Sequence, residues 1–126
     1  MPIITLEYTS NLPDRVDFTD LFSRIHRVLH ETGGIRLDNC KSRARQVDEY
    51  YIGDGHPLNA FAQLTVRFVE GRSDEVKARI GERCLEILKQ AYPVSVARLD
   101  VQITVEVGDI RLAGYFKYPE GTFTRQ

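Results

Sequence analysis

The chain has 126 residues, 42% of them hydrophobic and 28% charged, which predicts one soluble globular domain and excludes a chain disordered as a whole. A formal net charge of -1 and a pI of about 6.3 give no overall field for nucleic acid. No apolar run is long enough to span a bilayer, and the start lacks the basic residues and apolar centre of a signal peptide.

Ile3 to Tyr8 is rich in Ile, Thr and Tyr, which predicts a strand buried on both faces. Asn11 to Asp14, with Pro13 inside, reads as a turn. A helix is predicted from about Asp17 to Thr32. Phe18, Leu21, Phe22, Ile25, Val28 and Leu29 fall on one helical face. Asp14 or Asp17 is placed to cap its start, and Gly33-Gly34 supplies a left-handed stop. From Ile35 to about Ile52 the chain reads as extended. Lys41, Arg43 and Arg45 alternate with Ser42 and Ala44, so on a strand the three cations share one face. Gly53 to Pro57 is a loop.

Ala60 to Val69 reads as a strand, with Phe61, Leu64, Val66 and Phe68 as its apolar residues. Ser73 is the predicted N-cap of a second helix with Asp74 and Glu75 in its first turn. Val76, Ile80, Cys84, Leu85, Leu88 and Ala91 form its buried side, and Pro93 ends it. Val101 to Val107 alternates cleanly and is a strand. Tyr115-Phe116-Lys117-Tyr118 reads as a short edge strand. Strand, helix and return strand thus occur twice, in pseudo-repeat halves of about 1–58 and 59–126. Two such βαβ units can pool their strands into one four-stranded sheet with both helices on one face, an α+β fold. Apolar and aromatic residues of the uncovered face then call for a cover, which a subunit interface provides. A chain this short buries only a moderate share of its surface, so assembly would also add stability.

Pro2 fits the first position of a strand, where no donor is needed. It also has a chemical reading. If Met1 is removed, the Pro2 nitrogen becomes a secondary amine on a rigid ring. An ordinary α-amino group titrates at about 7.7–8.0. An apolar pocket or neighbouring cations lower that value, and a base near neutrality suits proton abstraction beside a carbonyl. Between Arg36 and Arg45 four cations stand against one acid, Asp38. A guanidinium grips a carboxylate through two parallel hydrogen bonds. The bland reading of the same row is a charged edge strand that resists aggregation.

Other residues give weaker signals. Cys40 and Cys84 lie far apart without metal-type spacing, as expected for reduced thiols in a cytoplasmic protein. His26 and His30 have the spacing of a two-histidine metal pair, but no third ligand is patterned nearby. Asp48 and Glu49 are adjacent and point to opposite faces of a strand, so they cannot act as a pair. Glu7 is a candidate helper near Pro2, with its side of the strand left open.

The opening Met1-Pro2-Ile3-Ile4, the segment Lys41-Ser42-Arg43-Ala44-Arg45-Gln46-Val47-Asp48, the Asp54-Gly55 turn and Gly71-Arg72-Ser73 together resemble the 5-carboxymethyl-2-hydroxymuconate isomerases of the tautomerase superfamily. The resemblance covers nearly the whole chain. It implies a macrophage migration inhibitory factor-like fold, a homotrimer, and no metal or organic cofactor. It implies an isomerase that shifts a proton in a small unsaturated keto or enol dicarboxylate, in aromatic catabolism, with Pro2 as general acid–base. It makes Arg43 the first substrate anchor, followed by Lys41 and Arg45, and sets Phe116 near the substrate. Arg45 stands where the family has a histidine, which bears on which acids fit. Two further readings share the fold: a catalytically silent oligomeric scaffold or binding protein, and a dehalogenase or hydratase that also uses a terminal proline.

Overall fold

Alternating side chains build the sheet. In the computed structural model, which describes residues 2–120, four strands lie in the order β2-β1-β3-β4. They are β1 (Ile3–Thr9), β2 (Lys41–Val47), β3 (Asn59–Val69) and β4 (Asp100–Ile110). β1 runs parallel to β2 and antiparallel to β3, and β3 runs parallel to β4. The connections within β1-β2 and β3-β4 are the helices α1 (Phe18–Gly33) and α2 (Asp74–Ala91). The predicted α+β architecture is therefore what the chain adopts.

One face of the sheet carries Ile4 and Leu6 from β1 and Ala62, Leu64, Val66 and Phe68 from β3. These pack with Leu21, Ile25, Val28 and Leu29 of α1 and Ile80, Cys84, Ile87 and Leu88 of α2 into one core. Ile103, Val105 and Val107 of β4 extend it. Burying side chains of this size contributes about 1.5–3 kcal/mol each before entropy is counted. Burial pushes the Cys84 thiol up to about 12, so it is an inert core residue.

Local chemistry sets the helix ends. Asp17 caps α1 by accepting from the Asp20 amide at 3.1 Å. Gly34, at φ 65°, closes it by donating to His30 O at 3.1 Å, and Ile35 N donates to Leu29 O. Ser73 caps α2 by accepting from the Val76 amide at 3.2 Å. Asp14, the alternative cap for α1, does a different job. It caps a short helix α3 (Pro93–Arg98), accepting from the Val94 and Ser95 amides and the Ser95 hydroxyl.

Several expectations are corrected. In β1 Ile4 and Leu6 are fully buried beneath the helices, whereas Ile3, Thr5 and Glu7 on the other face are only partly buried, because helices cover just one side. Phe61 points away from the core, since even-numbered residues of β3 face the helices. The buried stripe of α2 takes Ile87 in place of Leu85, which is 36% exposed. The extended stretch after α1 is interrupted by a 3-10 turn, Leu37–Asn39. Residues 115–118 form no strand: β4 ends at Ile110 and a 3-10 turn, Leu112–Gly114, follows. Finally, the helix-free sheet face is mainly polar. It presents Thr5, Glu7, Gln63, Thr65, Arg67, Gln102, Thr104 and Glu106 beside Ile3 and Phe61. Exposed apolar side chains lie instead in the loop before β3, in α3 and beyond β4, with Tyr51 79%, Phe116 89% and Tyr118 96% exposed. Among the described residues no helix is long and apolar enough to cross a membrane.

Candidate active site

Pro2 is buried at the head of β1. Its carbonyl accepts the Lys41 amide at 3.4 Å, which continues the β1-β2 ladder by one residue. In an extended strand the nitrogen and carbonyl of one residue point to the same edge. The Pro2 nitrogen is therefore directed toward the start of β2, where Cys40 and Lys41 lie. The Cys40 thiol is half-buried, and burial pushes it up to about 11. It is thus a protonated neighbour and not a thiolate.

The register fixes the cations. Lys41 stands opposite Ile3, Arg43 opposite Thr5 and Arg45 opposite Glu7. Paired residues of neighbouring strands share a face, so all three cations lie on the polar, helix-free face. Lys41 is one strand away from the first residue after Pro2. Arg43 lies about 7 Å and Arg45 about 13 Å further along the strand. All three are exposed. Arg45 has Glu7 as its cross-strand neighbour, and like Glu7 it makes no ion pair among the described residues. Glu7 therefore sits far down β1 from Pro2 and cannot assist it within one chain.

Phe116 follows β4 at the end of the sheet where β1 begins, but it does not reach Pro2. β4 finishes at the end where β1 begins, because β3 runs antiparallel to β1. The turn is fixed there by Glu70, whose amide donates to Ile110 O at 3.0 Å and whose carboxylate accepts the Leu112 amide at 2.8 Å. β3 lies between β4 and β1, and Phe116 stands in solvent.

The two helical histidines are committed elsewhere. His26 Nε2 lies 2.7 Å from Ser42 Oγ, and burial holds His26 below its ordinary pKa. His30 Nδ1 lies 2.9 Å from Ile35 O. A carbonyl only accepts, so that nitrogen carries the proton. Both histidines line a cleft of about 640 Å³ beside β2 with Phe22, Leu37 and Ser42. None of Pro2, Lys41, Arg43, Arg45 or Phe116 borders it. Among the described residues no group of three His, Cys, Asp or Glu side chains converges. Asp54 and Gly55 form a closed turn, in which Asp54 accepts from the His56 amide and Asn59, holding its carboxyl below the usual range.

Two arginines near this end were not singled out from the sequence as site residues. Arg72, in the Gly71-Arg72-Ser73 turn, donates from Nε to Gly33 O at 2.7 Å and lies 5.2 Å over the Phe68 ring. It ties the end of α1 to β3. Arg67 stands opposite Ile3 on the polar face, on the other side of β1 from Lys41. The available signal was parity: Phe61, Gln63, Thr65 and Arg67 are the odd positions of a strand whose even positions are all apolar.

The mixed four-stranded sheet with two helices on one face is the fold of the tautomerase class of isomerases. Residues 2–120 match the family 5-carboxymethyl-2-hydroxymuconate isomerase, and the chain belongs to that family. It is similar to the 5-carboxymethyl-2-hydroxymuconate Delta-isomerase of Escherichia coli, with 26% identity over 117 residues covering 93% of each chain. It is also similar to the crystal structure of a 5-carboxymethyl-2-hydroxymuconate isomerase from Deinococcus radiodurans R1. That match has 30% identity and a TM-score of 0.83, covering 92% of this chain and 87% of the other. A fused 4-OT, described as a wild type symmetric trimer, shares the fold at 14% identity and a TM-score of 0.74, covering 95% of this chain and 94% of that one.

Proposed function

We propose that the protein shifts a proton within a small unsaturated keto or enol dicarboxylate such as 5-carboxymethyl-2-hydroxymuconate, with Pro2 as the general acid–base. The observation that carries this reading is the burial of Pro2 next to Lys41, at one end of a row of cations. Removal of Met1 makes the ring nitrogen a free amine. Burial and the neighbouring positive charge both favour its neutral form, which is the form that accepts a proton. One base that alternates with its conjugate acid performs both halves of the isomerisation. The enolate that forms between them is stabilised by fixed positive charge. Lys41 and Arg43 hold the substrate carboxylate in this reading. Arg45, furthest away and facing Glu7, contributes least.

The chain works as a homotrimer in this reading. Exposed Tyr51, Phe116 and Tyr118 supply apolar surface for subunit contact, and a protein of the same fold is described as a symmetric trimer. Phe116, which stands in solvent in one chain, then closes the site of a neighbouring copy and excludes water from it.

The test combines intact mass with an assay. Protein whose mass shows Met1 removed is given phenylenolpyruvate and 2-hydroxymuconate. Ketonisation is expected, and Pro2→Ala is expected to lower its rate by roughly 10²–10⁴-fold. Full activity in protein with residues added before Pro2 would exclude the ring nitrogen as the base.

A further inference from the structure

Arg67 was not part of the expected site, and its placement gives it a role. The row across the sheet at the Pro2 end reads Lys41, Ile3, Arg67, Gly108, from β2 to β4. All four positions are on the polar face. Adjacent strands are about 4.8 Å apart, so the Lys41 and Arg67 backbones are separated by roughly 10 Å, with the Ile3 side chain between them. Gly108 leaves the other flank of Arg67 bare: a Cβ there would come 3.9 Å from Arg67 Cγ. The Arg67 side chain is exposed and makes no ion pair or hydrogen bond among the described residues. Of the acids nearest in register, one faces away, and the other, Glu106, shares the polar face as a diagonal neighbour but makes no ion pair with Arg67. Asp109 faces the helices and binds Lys77 at 2.9 Å, and Glu106 stands opposite Thr65.

We infer that Arg67 is the second carboxylate anchor and the residue that makes the site select diacids over monoacids. This rests on the proposed reading that the Pro2 end of the sheet binds an unsaturated acid. A chain of about six carbons laid across the sheet end rests its hydrocarbon on Ile3. One carboxylate then meets the cations of β2 and the other meets Arg67. The separation of the two cations suits a diacid of that length, since both side chains are long enough to reach inward. A monoacid uses the β2 side alone and gains nothing from Arg67. A guanidinium is suited to the task because it stays charged and offers two parallel donors.

The inference is tested by binding, so that it does not depend on catalysis. Adipate and hexanoate have the same carbon count and differ by one carboxylate. Each is titrated into the full-length protein, followed by NMR chemical shifts, with the same spectra reporting that each variant is folded. Wild type is expected to bind adipate roughly ten- to hundredfold more tightly than hexanoate, the range of a charged hydrogen-bonded contact. Arg67→Ala should bring the two affinities to within about twofold by weakening adipate alone, and Arg67→Lys should restore part of the difference. Arg79→Ala, which removes an exposed charge from α2, should leave the preference intact. Pro2→Ala should also leave it intact. That result, with ketonisation absent even in wild type, would sink the acid–base role of Pro2 and leave Arg67 standing. Equal binding of both acids by wild type, no binding of either, or an unchanged preference in Arg67→Ala would overturn the inference.

Discussion

The Asp14 carboxylate accepts the Val94 amide at 2.7 Å, across 80 residues of sequence. The same carboxylate holds the amide and hydroxyl of Ser95, which is fully buried. It joins the loop before α1 to the first turn of α3. Asp14→Ala is expected to lower stability by about 1–2 kcal/mol, as for loss of a helix cap. The buried Ser95 hydroxyl also loses its partner in this variant, so Ser95→Ala should be less damaging in the Asp14→Ala background than in wild type. Urea denaturation of the four proteins checks both points.

Gly34 gives a second, cleaner stability prediction. A Cβ at this position would meet open space within 4 Å, so substitution costs only backbone strain at φ 65°. Gly34→Ala should cost about 1–2 kcal/mol, and Gly34→Asn less, because asparagine tolerates this conformation. Equal denaturation midpoints for Gly34→Ala and wild type would show that the turn relaxes freely.

His26 predicts a pH dependence. Burial lowers its pKa in the folded protein, so between that lowered value and the ordinary 6.5 the unfolded chain binds more protons. The contribution of His26 to stability is therefore full above about pH 6.5 and falls as the pH drops through that window. His26→Gln should flatten this part of the stability profile while keeping a polar partner near Ser42 Oγ, which lies 2.7 Å from His26 Nε2. A chemical denaturation series from pH 7.5 to 5 measures it. An unchanged slope would place the acid sensitivity elsewhere.

The cation row makes a kinetic prediction. Lys41→Ala and Arg43→Ala should raise KM for a dicarboxylate and lower kcat, because enolate charge grows in the transition state. Arg45→Ala should change both by less than about threefold, as for an exposed charge that lies furthest from Pro2 and faces Glu7. Rising ionic strength should weaken the substrate affinity of wild type more than that of Lys41→Ala or Arg43→Ala. Steady-state kinetics of the three variants at two salt concentrations decides the order of importance.

Much of this architecture is legible in the sequence where local rules act alone. Asp17, Gly34 and Ser73 mark helix ends because capping needs only neighbouring amides. The alternation of Val101 to Val107 places β4, and that of Lys41 to Arg45 places the cations on one face. What escaped depends on partners distant in sequence. Strand composition puts Phe61 in the apolar set, but Ala60 and Ala62 hold the buried parity beneath the helices. Ile87 replaces Leu85 because the buried stripe of α2 runs through Ile80, Cys84, Ile87 and Leu88, the spacing of one helical face. The aromatic residues 115–118 have strand composition but no strand beside them to pair with. Arg67 gains its meaning only from the register with Ile3, which no local pattern states.

The alternation along β1 and β3 has an evolutionary consequence. Even positions carry most of the weight of folding, while most odd positions, Thr9 excepted, lie on the helix-free face. A substitution at Thr5, Gln63, Thr65 or Arg67 removes little or nothing from the hydrophobic interior. New specificities can therefore be sampled on one side of the ribbon without eroding the thermodynamic reserve held on the other.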